Sequence, residues 1–233
     1  MGPRQVHVGL DLGKLHDPSA LVVAEIQLNQ QRLPAPGEPK LPPHTHYHVQ
    51  RIQRLPLGLS YPEQVGYVMK VLVALYEYAL ADERIGVFTF GPPDLAIQLY
   101  ADATGVGGPI IDLLRNAIQH EFRTRGYVNL WPITFVHGER YTRTTGRMGK
   151  AFLVSRLQAL LQQQHIDLPK NDPEVVAMVA ELKDYDIRVD QDGRDSYGAF
   201  KVGTHDDLAT ALGLAVLEDP SEYTPTIGPK VFP

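Results

Sequence analysis

Cysteine is absent from the 233 residues, which excludes disulfide frameworks, thiolate nucleophiles and cysteine-ligated zinc. No apolar run approaches the roughly 18 residues that a membrane-crossing helix requires. The opening MGPRQVHVGLDLG runs straight into an apolar strand pattern and lacks the charged-then-apolar order of a secretory leader. The expectation is therefore a cytoplasmic protein with no membrane partner. Basic excess is missing too: 22 lysines and arginines face 27 aspartates and glutamates, a net charge of -5. Generic charge-driven nucleic-acid binding is thereby excluded, and any DNA affinity has to come from a local patch. What is present is ordinary for a globular protein: 43% hydrophobic residues and enough chain for one sizeable core. Neither an internal repeat nor a low-complexity tract interrupts it.

VHVGLDLG and ALVVAEIQL, separated by a glycine turn and Asp17-Pro18, predict two strands joined as a hairpin. Residues 29–43 hold five prolines and little apolar content, which predicts an extended surface loop. A third strand is expected from about His46 to Leu55. The spacing of Val65, Val68, Met69, Leu72, Val73, Leu75, Tyr76 and Ala79 then predicts a helix over Tyr61 to Leu80. LAIQLYAD alternates as a strand ending at Asp102, and a glycine-rich turn leads to a helix opened by Pro109 at its first position. Further along are a strand around Trp131 to Val136, a helix from about Ala151 to Gln164 and a stretch punctuated by proline and glycine. A hairpin around Asp190 to Phe200 and a last helix from about His205 to Glu218 complete the pattern. Strands first, then helices alternating with strands, imply an α/β fold: one domain over 1–233, a mixed sheet flanked by helices on both faces.

Carboxylates stand where these elements end. Asp11 shares a strand face with His7 and Gly9, while Val6, Val8 and Leu10 take the other. A lone carboxylate in so uncharged a strand is costly unless something binds it. Asp102 ends its strand beside the loop Thr104 to Gly108, and Asp206 and Asp207 open the final helix. Hard divalent cations such as Mg²⁺ and Mn²⁺ want several carboxylate oxygens converging from separate elements, with positions left for water and phosphate. Structural roles compete with that reading: a strand end for Asp11, a turn or cap for Asp102, a turn before Pro18 for Asp17. Thr204-x-x-Asp207 also has capping-box spacing. His205 could orient a water or contact phosphate, against the commoner role of a packed, hydrogen-bonded histidine.

Four segments, VGLDLGKLHDPSALVV, LYADATGVGGPIIDLL, GKAFLVSRLQALLQQQHIDLP and GTHDDLATALGLAV, come in the order seen in the nuclease domain of phage terminase large subunits, which the chain resembles over nearly its whole length. The resemblance implies an RNase H-like fold and a metal-dependent endonuclease. It would cut double-stranded DNA with little sequence specificity during viral genome packaging, using two Mg²⁺ or Mn²⁺ ions. It places the family's catalytic, metal-holding aspartates on Asp11, Asp102, Asp206 and Asp207, with Asp11 as the bridging ligand, and Asp17 resembles an additional acidic position beside the metals. Double-stranded DNA, a terminase ATPase domain and other packaging proteins are the implied partners, and a monomer is the expected isolated state. The chain has no G-x-x-x-x-G-K-[ST]; Gly146 to Ala151 lacks both the spacing and the hydroxyl, so motor activity is not expected of these residues.

Positive charge gathers at 138–150, where Arg140, Arg143, Arg147 and Lys150 face one acid, Glu139. Such a loop can hold phosphates without reading bases, and Lys14 near Asp11 is a second candidate contact. Three other readings keep parts of the pattern: a RuvC-like junction resolvase, a non-catalytic DNA-packaging module, and a fragment of an actin or Hsp70-type ATPase, whose phosphate-binding hairpin GLDLGK also resembles.

Overall fold

The structure, a computed structural model, describes residues 4–13, 17–29, 44–81, 95–105, 107–123, 127–138, 141–184, 186–189, 195–198 and 205–220. The elements in chain order are β1 (Arg4–Asp11), β2 (Ala20–Asn29), β3 (His44–Arg54), α1 (Tyr61–Ala81), β4 (Leu95–Asp102), α2 (Gly107–Phe122) and β5 (Tyr127–Phe135). They continue with β6 (Arg147–Met148), α3 (Lys150–Gln162), β7 (Ile166–Asp167), α4 (Pro173–Asp184), β8 (Asp186–Val189), β9 (Asp195–Gly198) and α5 (Asp207–Ala215). Seven strands form one sheet in the order β6-β5-β4-β1-β2-β3-β7. β1, β2 and β3 are antiparallel neighbours, whereas β4 joins β1 in parallel and is followed outward by parallel β5 and β6. The fold is the mixed, RNase H-like α/β arrangement expected from the sequence.

Strand alternation divides the core between the two sheet faces. Val6, Val8 and Leu10, with Leu21 and Val23, pack under α1 and α2 through Val68, Leu72, Ile110 and Leu114. The opposite face, Ala20, Val22, Ala24 and Tyr47, packs against Leu157 of α3, Met178 of α4 and the apolar residues of α5. Every residue of α5 is buried, as befits a helix apolar all round that lies between the sheet and two other helices. Gly9 lets it come so close: a Cβ there would meet the Ala211 carbonyl oxygen at 1.9 Å and the Ala215 nitrogen at 2.5 Å. His7, one pleat earlier, has Nδ1 3.2 Å from the Ala215 oxygen. Burial lowers its pKa to about 4, so the ring is a neutral packing group.

Several boundaries differ from expectation. The helix α4 replaces part of the stretch read as irregular. Asp172-Pro173 opens it, with Asp172 Oδ1 accepting the Glu174 N–H at 2.8 Å, and Val175, Met178 and Leu182 line its apolar side. Pro109 is the third residue of α2, not the first, because the turn begins on Gly107. The late hairpin is β8 with β9, four residues earlier than expected at its start, and α5 stops at Ala215. Of the proline-rich segment 29–43 only Asn29, the end of β2, lies within the described residues. No described helix is long and apolar enough to cross a membrane.

Candidate metal centre

Pairing and packing bring the predicted carboxylates together. β1 and β4 run in parallel with Leu10 opposite Ala101, so the next residues, Asp11 and Asp102, stand at the same end of adjacent strands. From above, α5 is matched to β1: two strand residues rise ~6.6 Å and four helical residues ~6 Å. His7 meets Ala215 and Gly9 meets Ala211, so the next step carries Asp11 to Asp207 at the helix start. A cavity of about 410 Å³ opens there, lined by Asp11, Asp17, Asp102, Asp206, Asp207, Lys150 and His205 and by the backbone around Gly13 and Gly105. Five aspartates and one lysine thus share a single opening.

The bland roles foreseen for these residues hold for some and fail for others. Asp102 does make its turn, with Oδ1 accepting the Thr104 N–H at 2.7 Å, while still lining the cavity. Asp17 is exposed at the rim beside Pro18. Asp206 occupies the N-cap position of α5 but makes no capping bond; its Oδ2 accepts from Lys150 Nζ at 2.7 Å instead. Asp207, 5% exposed, is the deeper of the pair. Thr204 lies outside the described residues. His205 is exposed, so the packed-histidine reading is corrected: it faces the opening.

One anchor of the cluster escaped the sequence reading. Arg54 at the end of β3 donates from Nε to Asp207 Oδ2 at 2.8 Å and from its two terminal nitrogens to Glu174, at 3.3 Å, and to Glu181. Glu181 also accepts the Ala209 N–H at 2.9 Å, tying α4 to the first turn of α5. Burial raises the Glu181 pKa to about 7, against the pull of the Ala209 N–H. The signal for it lay in the helical spacing of Glu174, Met178 and Glu181 on α4. Arg54 Nε fixes one oxygen of Asp207; the other, Oδ1, is buried without a hydrogen-bond partner among the described residues.

Electrostatics follow from that crowding. Burial, then the Asp102 charge, holds the Asp11 carboxyl well above the usual carboxylate range, with Asp206 and Asp207 adding to the effect and the Lys150 ammonium opposing it. Burial likewise raises Asp102. The donor set is all carboxylate oxygen, burial and neighbouring carboxylates push Asp11 and Asp102 toward protonation, and a buried oxygen of Asp207 is left unpaired among the described residues. Those properties fit a hard divalent cation.

The expected basic surface is only partly of that kind. Arg143 lies over Trp131, 4.5 Å from the ring centre, and its Nε is 3.2 Å from Glu218, which also accepts from Tyr141 at 2.6 Å. Lys150 turns into the aspartate cavity, and Arg147 is exposed on the rim of a tight turn over 142–147. Arg140, Glu139 and Lys14 lie outside the described residues.

No protein-family model matches the chain, and no curated protein matches it in sequence. Solved structures do match in fold. The large terminase nuclease from thermophilic phage G20c superposes with a TM-score of 0.55 at 20% identity, over 94% of this chain and 89% of that one. The same protein with bound cobalt gives 0.55 at 20%, over 92% and 87%. The human cytomegalovirus terminase nuclease domain gives 0.52 at 12%, over 93% and 83%. The chain therefore has the fold of the terminase nuclease domains, with its acidic cavity at the carboxyl ends of β1 and β4.

Proposed function

We propose that the chain is a divalent-metal-dependent endonuclease that hydrolyses phosphodiester bonds of double-stranded DNA with little sequence preference, in the manner of viral genome packaging. The observation that carries the reading is the convergence of Asp11, Asp102, Asp206 and Asp207 from three separate elements on one cavity, within a fold shared with terminase nucleases. These four would hold two Mg²⁺ or Mn²⁺ ions, Asp11 serving both and Asp17 the rim. Bound there, such ions make a coordinated water acidic enough to attack and neutralise charge on the phosphate and leaving oxygen.

The protein's own groups supply position. Arg54 fixes one oxygen of Asp207, and Glu181 holds both Arg54 and the Ala209 N–H, so the carboxylate is held in place at the start of α5. Lys150, now paired with Asp206, stands where its ammonium can pass to a phosphate oxygen once cations satisfy the aspartates. His205 and Arg147, both exposed, supply further contacts to the DNA backbone, which require no base reading. A terminase-type ATPase domain and other packaging proteins are the partners this reading entails.

The test is conversion of supercoiled plasmid to open-circular and linear forms. Cleavage is expected with Mn²⁺ or Mg²⁺, none with EDTA, none for folded Asp11→Asn or Asp207→Asn, and reduced cleavage for Asp206→Asn. Undiminished cleavage by Asp11→Asn would sink the assignment.

A further inference from the structure

A second group of metal-ligating side chains lies well away from the aspartates. Along β3 the alternate residues Tyr47 and Val49 are buried, which leaves His44, His46 and His48 together on the opposite face. The short strand β7 pairs with β3 in parallel, His48 opposite Asp167, and brings His165 and Asp167 beside them. His165 stacks on His44 at 4.7 Å, and the His46 and His48 rings are 4.7 Å apart. Arg54, which touches the aspartate cluster, is eight residues along the same strand from His46, ~26 Å at 3.3 Å per residue.

We infer that His46, His48 and Asp167 form a binding site for a transition-metal dication of the Zn²⁺, Co²⁺ or Ni²⁺ class, distinct from the carboxylate centre. Asp167 Oδ2 lies 3.0 Å from His46 Nε2 and 2.9 Å from His48 Nδ1, and the three donor atoms lie within 4.8 Å of one another. Ligand atoms about 2.0–2.1 Å from a tetrahedral ion are ~3.3 Å apart, so the two Asp167–histidine distances need open by only a few tenths of an ångström to share one. Protonation logic points the same way. His48 Nε2 is 2.7 Å from the Gln27 side-chain oxygen, an acceptor, so that nitrogen carries the ring's proton. Nδ1, the ring's other nitrogen, faces the Asp167 oxygen at 2.9 Å, the position from which it can ligate. A hydrogen-bonded outer partner that fixes the tautomer is how metal-ligating histidines are held.

Two nitrogens and one oxygen select borderline ions over Mg²⁺, which prefers oxygen. Asp167 is 63% exposed, so the ion keeps a position open to water. Bound there, it would staple the short edge strand β7, and with it the connection from α3 to α4, onto β3.

Untagged, metal-stripped full chain titrated with Co²⁺ and then Zn²⁺ tests this. With the aspartate centre removed by Asp11→Asn/Asp207→Asn, one ion per chain is expected, with visible ligand-field bands on Co²⁺, displacement by Zn²⁺ and none by Mg²⁺. The site should survive in Asp11→Asn/Asp207→Asn, which separates it from the proposed nuclease centre. It should be lost in His46→Gln/His48→Gln and in Asp167→Asn, whose exposed side chain makes that variant safe for folding. Equal Zn²⁺ binding by folded Asp167→Asn and wild type, or no Zn²⁺ binding by wild type, overturns the site and leaves a protonated His48 paired with Asp167.

Discussion

Asp11 ends a strand whose residues from Val6 to Leu10 are buried and mostly apolar, and its carboxylate meets Asp102 on one side and the start of α5 on the other. Its folded-state pKa is raised, so its contribution to stability is complete below the unfolded value and is lost as pH rises through the raised one. In metal-free protein at pH 8, Asp11 therefore opposes folding, and Glu181, with a pKa of about 7, acts in the same direction. His7 acts oppositely: its pKa of about 4 costs stability as pH falls from 6.5 toward 4. Asp11→Asn is expected to raise the melting temperature at pH 8 in EDTA, each kcal/mol relieved being worth roughly 2–4 °C in a chain of this size. The same substitution is expected to shrink the rise that Mn²⁺ produces, since an ion that binds only the folded cluster stabilises by mass action. Differential scanning fluorimetry checks both, and a lower melting temperature in EDTA would show that Asp11 is held by something other than a cation.

At the scale of elements, α5 lying directly on β1 sets the cluster's geometry. Gly9→Ala is expected to lower the melting temperature markedly, because its Cβ meets backbone atoms of α5 that cannot yield as a side-chain tip would; such overpacking costs about 1–3 kcal/mol or more. Gly66→Ala, at an exposed α1 position with open space around it, is the control and should stabilise by about 0.5–1 kcal/mol. Thermal unfolding of the two variants side by side decides the matter; equal shifts would mean the close approach is not sustained. The aspartates at strand and helix ends were legible in the sequence because alternation and helical spacing show where elements stop. Arg54, Glu174 and Glu181 were not legible: α4 was read as irregular, and which strand end faces which helix is a tertiary fact. Nor did the run of charge at 138–150 reveal that Arg143 turns to Glu218 and Lys150 to Asp206.

Over the whole molecule, a net charge of -5 opposes the proposed binding of DNA, so on that reading affinity should depend strongly on cations at the acidic cavity as well as on the basic rim. The sheet gathers the aspartates at the carboxyl ends of β1 and β4 and the imidazole cluster where β3 pairs β7, so the two proposed metal centres stand apart in one fold. The central claim, that the five-aspartate cavity is a divalent-metal centre, is tested most directly by Mn²⁺ binding followed through the electron paramagnetic resonance of free Mn²⁺. The wild type and the folded Asp11→Asn/Asp207→Asn variant are compared in a His48→Gln background that removes the imidazole site. Saturable binding by the parent and its loss in the double variant is the result predicted; unchanged Mn²⁺ binding by the double variant would contradict it.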